Sequence, residues 1–497
     1  MPLITDGLPE NLEHIHIMGI CGTAMGSVAG MLKDAGYRIT GSDTGAYPPM
    51  SDYLEGLGIS IMEGFKASNL DSQPDLVIVG NVIRAVYEEA QAVVERDLPY
   101  CSMPYLLGEL FLKKARSIVV AGTHGKTTTT SLAIGALAHT GYDPGYLVGG
   151  VLLGLDRSAR AGAGKIFVIE GDEYDTAFFD KQPKFVHYQP TTAILTSVEF
   201  DHADIYRDLD HVKENFRRLP TLLPPDGCIV ARWDHEHVRD VIGEPECEIR
   251  TYGPGQSWEG RIVSVNPDEG TMTFEVTHDG RVFGNFTSIM VGEHNLWNQV
   301  AVVAALDREG LSAEEIATGL AKFQGIKRRQ EVRGVVANIA VIDDFAHHPT
   351  AVRLTLEALK LRFGGRRLWA IFEPRSNTSR RNVFQQEYAR AFDAADEVVI
   401  PSPKNVERIP EAERFDSRAL VGALLDRGLE AHQIDEVDEI AAVISANAMP
   451  YDVIAVLSNG SFDGLHDKIL ERLRLRFDAQ QPDVSNDGSN EMPTRSA

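Results

Sequence analysis

Short apolar runs alternate with mixed, helix-like stretches along almost the whole chain. The clearest runs are His14-Ile15-His16-Ile17-Met18, Leu76-Val77-Ile78-Val79, Ser117-Ile118-Val119-Val120-Ala121, Phe167-Val168-Ile169 and Thr192-Ala193-Ile194-Leu195-Thr196, followed by Ile339-Ala340-Val341-Ile342, Arg367-Leu368-Trp369-Ala370-Ile371-Phe372 and Val453-Ile454-Ala455-Val456-Leu457. Runs of this length, apolar throughout, read as strands buried on both faces of parallel sheets, with helices between them. The pattern predicts an α/β protein in three blocks, with bounds at 1–113, 114–325 and 326–477. From Thr251 to Phe286 the texture changes to short alternating segments between Gly/Pro turns, such as Thr271-Met272-Thr273-Phe274-Glu275-Val276, which predicts a small antiparallel β insertion in the second block. Residues 478–497 are rich in Gln, Pro, Asp, Ser and Asn and are expected to be disordered.

Composition narrows the class. At 497 residues with 43% hydrophobic and 24% charged positions, the chain has the balance of a globular protein of about three domains. No apolar run approaches the about 18 residues that a membrane span needs. Met1 to Glu10 has neither a basic start nor an apolar core, so no secretory signal is expected, and a cytoplasmic location is. Cys21, Cys101, Cys228 and Cys247 lack Cys-x-x-Cys spacing and fit reduced thiols. A net charge of −24 excludes a typical nucleic-acid binder, which needs a basic stripe, but leaves room for small anions held by local donors.

The local chemistry centres on Gly122-Thr123-His124-Gly125-Lys126-Thr127-Thr128, between a strand-like run and a helical stretch. A strand, a glycine turn and a helix start form a phosphate cradle. Backbone amides and the positive helix end face the anion, Lys126 can reach the outer phosphates, and Thr127 can ligate Mg²⁺. The general pattern has a glycine where this chain has Val120. A second glycine turn, Gly19-Ile20-Cys21-Gly22-Thr23-Ala24-Met25-Gly26, follows the first strand, and Gly41-Ser42-Asp43 closes what reads as the next one. That combination suggests a Rossmann-like unit for a diphosphate, a plain βα turn or a dehydrogenase site; a dehydrogenase would leave the phosphate loop unexplained. Glu170, at a strand end, and His202, after the run ending at Thr196, would gather at the same sheet edge as the loop. Thr127 and Glu170 are natural oxygen ligands for Mg²⁺, and His202 is a less usual third.

The ordered set Gly122-Thr-His-Gly-Lys-Thr-Thr, Glu170-Gly-Asp-Glu, Asp201-His202, Gly292-Glu-His294-Asn295-x-x-Asn298 and Asp343-Asp-Phe-Ala-His347-His348-Pro349 resembles the Mur ligase family of ATP-dependent amide-forming enzymes. The resemblance spans His14 to about Leu470. It implies an N-terminal Rossmann-like domain for a UDP-sugar, a central P-loop ATPase, and a C-terminal Rossmann-like domain for the amine. By that resemblance Lys126 and the loop would hold the β/γ-phosphates, Thr127, Glu170 and His202 would serve magnesium, and His294, Asn295 and Asn298 would lie near the adenine. Asp343 would approach the ribose, with His348 nearby. Gly19, Cys21, Gly22, Thr23, Met25, Ser42 and Asp43 are the expected UDP-sugar contacts. Many family members carry a carbamoylated lysine fifteen residues after the Asp-His histidine. This chain has Arg217 there, so either Lys213 substitutes or the carbamate is dispensed with, the second being favoured.

Within the family, the histidine-initiated strand, the Gly19-x-x-Gly22 turn and His347-His348-Pro349 resemble the branch that takes UDP-N-acetylmuramate. Its amine would be L-alanine or the intact tripeptide L-alanyl-γ-D-glutamyl-meso-diaminopimelate. The stretches Tyr47 to Ser51, Glu170 to Asp175, Phe185 to Tyr188, Glu373-Pro-Arg375-Ser376-Asn377-Thr378 and Ser458-Asn459-Gly460-Ser461-Phe462 resemble the tripeptide-adding members used in peptidoglycan recycling. Arg375 offers a planar fork for a carboxylate and Ser376 and Asn377 offer hydrogen bonds, so these three are expected on the peptide. The expected chemistry is an acyl phosphate formed from the lactyl carboxylate and ATP, then attacked by the amine. Lys126 neutralises charge, and His202 and His348 are the candidate bases. A non-catalytic ATP-binding regulator on this scaffold, or a folate polyglutamate ligase, would be the rival; Glu170 and His202 speak against the first and the N-terminal block against the second.

Overall fold

The computed structural model describes residue 4 and residues 7–48, 50–155, 157–203 and 205–478. Most of the expected disordered tail, 479–497, lies outside the described residues, as does Pro49.

Three sheets follow one another along the chain, as the alternating pattern predicts. The first is wholly parallel, in the spatial order Ile61–Glu63, Arg38–Asp43, His14–Met18, Leu76–Val79, Tyr100–Ser102. The chain winds one way from the central strand and then the other, so the strand ends diverge beside His14–Met18 and open a crevice there. Both faces of that strand are covered, which is why all five of its residues are buried.

The central sheet holds ten strands. Its parallel part runs Glu248–Tyr252, Cys228–Arg232, Thr192–Leu195, Arg116–Ala121, Ile166–Gly171, Gly145–Leu147. The expected β insertion is present and ends at Ser288: Trp258–Asn266, Thr271–His278 and Arg281–Ser288 form an antiparallel meander. It is no separate module. The pair Tyr252↔Trp258 joins it to the parallel strands, so one sheet continues from one into the other. Met272, Phe274 and Val276 are buried on one face of the meander, the period-2 pattern of a half-covered strand. Helix Glu293–Arg308 is buried from Asn295 to Leu306, because it is apolar nearly all round and packs among the helices and strands of this domain.

The third sheet has six strands in the order Glu331–Val336, Ile339–Asp344, Val453–Leu457, Leu368–Phe372, Glu397–Val399, Glu430–His432. Only the first pair is antiparallel. Apolar clusters lie on each face, one around Phe372, Tyr388 and Phe392 and the other around Trp369, Ile444 and Leu473. No helix among the described residues is long and apolar enough to cross a membrane.

Candidate functional site

The phosphate loop sits between strand Arg116–Ala121 and helix Lys126–Ala138. Gly122 has φ +131, and a Cβ there would overlap Thr196 Oγ1, so the turn presses directly onto the neighbouring strand end. That strand end holds the loop. The Thr123 amide donates to Ser197 O at 3.0 Å and the His124 amide to Ser197 Oγ at 3.0 Å. Thr196 Oγ1 donates to His124 O at 2.6 Å. A helix leaves the amides of its first turn without internal partners, and here the first-turn residues Lys126, Thr127 and Thr128 line the cleft.

Lys126 Nζ donates to Gly122 O at 2.6 Å and forms an ion pair with Glu173 at 2.8 Å. Burial alone would lower its pKa, but Glu173, Asp172 and Glu170 outweigh that and raise it, so the ammonium is firmly charged. Thr127 Oγ1 donates to Glu170 Oε1 at 2.9 Å, and Gly149 N–H donates to the other carboxylate oxygen at 2.8 Å. A hydroxyl and a carboxylate meeting beside a phosphate cradle form a donor set that fits Mg²⁺, which prefers hard oxygens.

His202 is seated differently from the expectation. Its Nε2 lies 3.2 Å from Glu173 Oε1 and its Nδ1 lies 2.5 Å from Tyr174 Oη. Glu173 therefore bridges Lys126 and His202, while Thr127 and Glu170 form a pair of their own. Burial would lower the His202 pKa, but Glu173 and Asp201 raise it. Another trio, His124, Glu199 and His348, brings one potential ligand atom each within 4.8 Å of the others. His124 Nε2 is 3.3 Å from Glu199 Oε2, which also accepts from Thr350 Oγ1 at 2.9 Å. Burial would raise the Glu199 pKa, yet these partners bring it down to about 2.

His348 is the N-cap of helix Pro349–Arg362: its Nδ1 accepts from the Thr350 amide at 3.3 Å. The ring packs between His124 and Phe384, and Nε2 is buried with no hydrogen-bond partner among the described residues. Burial and the neighbouring His124 push its pKa down to about 4. In this arrangement His348 is a neutral helix cap with neither nitrogen presented as a base.

A large cleft of roughly 1450 Å³ collects most of the expected residues from all three domains. Thr123, His124, Gly125, Lys126, Thr127, Thr128, Glu170, His202, His294, Asn295, Asn298, His348, Arg375, Ser376 and Asn377 all line it. Asn295 and Asn298 are tied to each other and to Val291 O, so helix Glu293–Arg308 presents them rigidly. Burial lowers the His294 pKa to about 4. Arg375 packs flat on Gly460, where a Cβ would overlap its guanidinium. Thr378 Oγ1 donates to Asp201 Oδ1 at 3.3 Å, linking the expected peptide segment to the Asp201-His202 turn.

Other expected residues lie elsewhere. Asp343 is not in the cleft lining; it pairs with Arg328, Arg333 and His466, while Asp344 faces the cleft. Neighbouring strand residues point to opposite faces, so one position decides the side. From the first domain only Thr23 reaches this lining. Gly19, Cys21, Gly22, Met25, Ser42 and Asp43 form a separate turn, in which Ser42 is fully buried and its hydroxyl donates to Glu89. Lys213 and Arg217 both pair with Asp240, at 3.0 and 3.2 Å, and neither lines the cleft. Sequence reasoning missed Glu173, Arg329 and the group Arg232, His235, Tyr252 and Trp297. Arg329 Nη2 donates to Thr127 Oγ1 at 3.2 Å, and Arg232 stacks 4.5 Å over Trp297. The second glutamate of Glu170-Gly-Asp-Glu173 was the available signal for Glu173, and Trp297 lies inside the Asn295-x-x-Asn298 motif; Arg232, His235, Tyr252 and Arg329 come from strand ends, a helix cap and a linker with no local motif.

Comparison with known proteins places three matches in order along the chain. Residues 14–115 match the Mur ligase family catalytic domain, residues 120–306 the Mur ligase middle domain, and residues 328–460 the Mur ligase glutamate ligase domain. The chain is 40% identical to the UDP-N-acetylmuramate–L-alanyl-gamma-D-glutamyl-meso-2,6-diaminoheptandioate ligase of Escherichia coli, over 94% of this chain and 100% of that protein. It is 33% identical to the UDP-N-acetylmuramate–L-alanine ligase of Caldanaerobacter subterraneus, over 93% and 98%. A crystal structure of a murein peptide ligase from Psychrobacter arcticus superposes with a TM-score of 0.67 at 35% identity, covering 93% of this chain and 98% of that one.

Proposed function

The chain belongs to the Mur ligase family, and within it we propose an ATP-dependent ligase that joins the carboxylate of UDP-N-acetylmuramate to the amine of L-alanyl-γ-D-glutamyl-meso-diaminopimelate, a step of peptidoglycan recycling. The observation that carries the choice of amine is the full-length match at 40% identity to a tripeptide ligase, against 33% for an L-alanine ligase. The Arg375-Ser376-Asn377 segment supports it from the geometry, since it lines the shared cleft with a guanidinium available for a carboxylate.

The domains take the parts their positions favour: 1–113 the UDP-sugar, 114–325 ATP, and 326–477 the peptide. The lactyl carboxylate attacks the γ-phosphorus of ATP, giving an acyl phosphate and ADP. The peptide's alanyl nitrogen, as the neutral amine, then attacks the acyl carbon; the tetrahedral intermediate expels phosphate, and the nitrogen gives up its proton to solvent. The first step brings two anions together, so positive charge governs it. Lys126 and the first-turn amides of its helix hold the β/γ-phosphates, and His294, Asn295 and Asn298 border the adenine. Thr127 and Glu170, with His202 close by, would hold Mg²⁺, which would supply further charge neutralisation on the phosphates. Glu173 keeps Lys126 and His202 in register with each other. Lys213 and Arg217 are committed to Asp240, which supports a ligase that works without a carbamoylated lysine. A cytoplasmic location accords with substrates of this kind.

The test is a phosphate-release assay with ATP, Mg²⁺ and UDP-N-acetylmuramate, offering the tripeptide, the dipeptide or L-alanine. A preference of about 100-fold or more in kcat/KM for the tripeptide is expected. Equal turnover with L-alanine would remove the recycling assignment and leave the alanine-adding ligase.

A further inference from the structure

Beneath the glycine turn of the first domain runs a buried chain of polar side chains. His14 Nε2 lies 2.9 Å from Thr40 Oγ1, and His16 Nδ1 lies 2.9 Å from the same oxygen. His16 Nε2 is 2.7 Å from Glu89 Oε1, and Ser42 Oγ donates to Glu89 Oε2 at 2.7 Å. His16, Ser42 and Glu89 are each 0% exposed. A carboxylate has acceptors only, so the imidazole N–H and the serine hydroxyl both donate to Glu89 and fill one oxygen each. A buried pair of this kind adds little stability over apolar residues of equal volume, but its directional bonds fix positions.

The position fixed is that of Ser42, and the turn hangs from it. The Ser42 carbonyl accepts the Gly19 amide at 2.8 Å and the Ile20 amide at 3.2 Å. The Cys21 amide donates to Asp43 Oδ2 at 2.9 Å, and the Gly22 amide to Gly19 O at 3.2 Å. Four successive amides are thereby turned inward. The donors left for an anion are those at the start of helix Thr23–Asp34, whose aim depends on the turn before them.

We propose that Glu89 is a positioning residue for the UDP-sugar: through Ser42 it sets the glycine turn and so aims the start of helix Thr23–Asp34 at the diphosphate. The inference rests on the first domain being the UDP-sugar site. His16 completes the support from behind, holding the carboxylate so that its second oxygen meets Ser42.

Kinetics of Ser42→Ala, Glu89→Ala, Glu89→Gln and the double variant Ser42→Ala/Glu89→Ala test it, with the KM of each substrate measured separately. Ser42→Ala and Glu89→Ala should each raise the KM for UDP-N-acetylmuramate about tenfold, with kcat and the KM values for ATP and peptide unchanged. Glu89→Gln should restore the KM, because its amide oxygen still accepts from Ser42 while its NH₂ meets the other tautomer of His16. The double variant should be no worse than Glu89→Ala, since both changes cut one path. Additive losses, equal rises in all three KM values, or a fall in kcat alone would overturn the proposal. Should Glu89→Ala fail to fold, Ser42→Ala decides, because it leaves the His16–Glu89 pair intact. Wild-type enzyme inert toward UDP-N-acetylmuramate would overturn the function and this inference together; active wild type with unchanged KM in the variants overturns this inference alone.

Discussion

Burial alone would lower the pKa of Lys126, yet Glu173, Asp172 and Glu170 raise it. The ammonium is thus held charged before any nucleotide arrives, and in the proposed role its carboxylate partners would yield it to the phosphates when ATP binds. Lys126→Met keeps the volume and removes the charge. It should lower kcat for ATP-dependent phosphate release by about 10²–10³-fold, while circular dichroism stays unchanged. Retained ligation would remove Lys126 from the phosphate site. Single residues also mark where sequence reasoning reaches its limit. Gly122 to Thr128 was legible because strand, turn and helix are contiguous. Asp343 was not, because adjacent strand positions face opposite ways and only the sheet tells that Asp344 looks into the cleft. Ser42 turned inward for a similar reason: its partner Glu89 lies 47 residues on, beyond any local pattern.

At the scale of elements, helix Pro349–Arg362 starts on an unusual cap. His348 offers Nδ1 where Ser, Thr, Asp or Asn is the common choice. His348→Ala should cost about 1 kcal/mol by urea denaturation, and His348→Asn, which keeps an acceptor, clearly less. The cap also gives the helix a pH dependence. The folded imidazole titrates near pH 4, against about 6.5 in the unfolded chain. Between those values the unfolded chain binds the extra proton, so this contribution is complete above about pH 6.5 and is lost as the pH falls toward 4. Urea midpoints measured from pH 7.5 to 4 should fall less steeply for His348→Asn than for wild type. A parallel decline in both would show that the imidazole is not held neutral. The central strands of all three sheets were readable from their apolar runs, whereas flanking strands such as Ile61–Glu63, Tyr100–Ser102 and Glu430–His432, three residues each, were too short to stand out. The joining of the antiparallel meander to the central sheet was not readable either, since it rests on one parallel pair, Tyr252↔Trp258, across a Gly/Pro turn that reads equally well as a break between sheets.

For the whole molecule, size and connection decide what the cleft can do. Small-ligand pockets usually enclose about 300–1,000 Å³, whereas this cleft is roughly 1450 Å³ and takes side chains from all three domains. That volume suits ATP and a second substrate meeting in one space. Among the described residues, three side-chain-to-side-chain hydrogen bonds join the third domain to the phosphate site: Arg329 to Thr127, Thr350 to Glu199, and Thr378 to Asp201. The first of these rests on Thr127, a side chain that the nucleotide's metal would also engage, so loading the central domain and docking the third are coupled there. An acyl phosphate exposed to water would hydrolyse, and the third domain, joined to the phosphate site by these bonds, is the one placed to cover it. Phosphate release should therefore stay at background with ATP and UDP-N-acetylmuramate alone and rise only when the tripeptide is added. Chelation of Mg²⁺ with EDTA should abolish it, and added Mg²⁺ should restore it. Rapid phosphate release without any amine would mean that the acyl phosphate meets water freely, and that the three contacts do not seal the site.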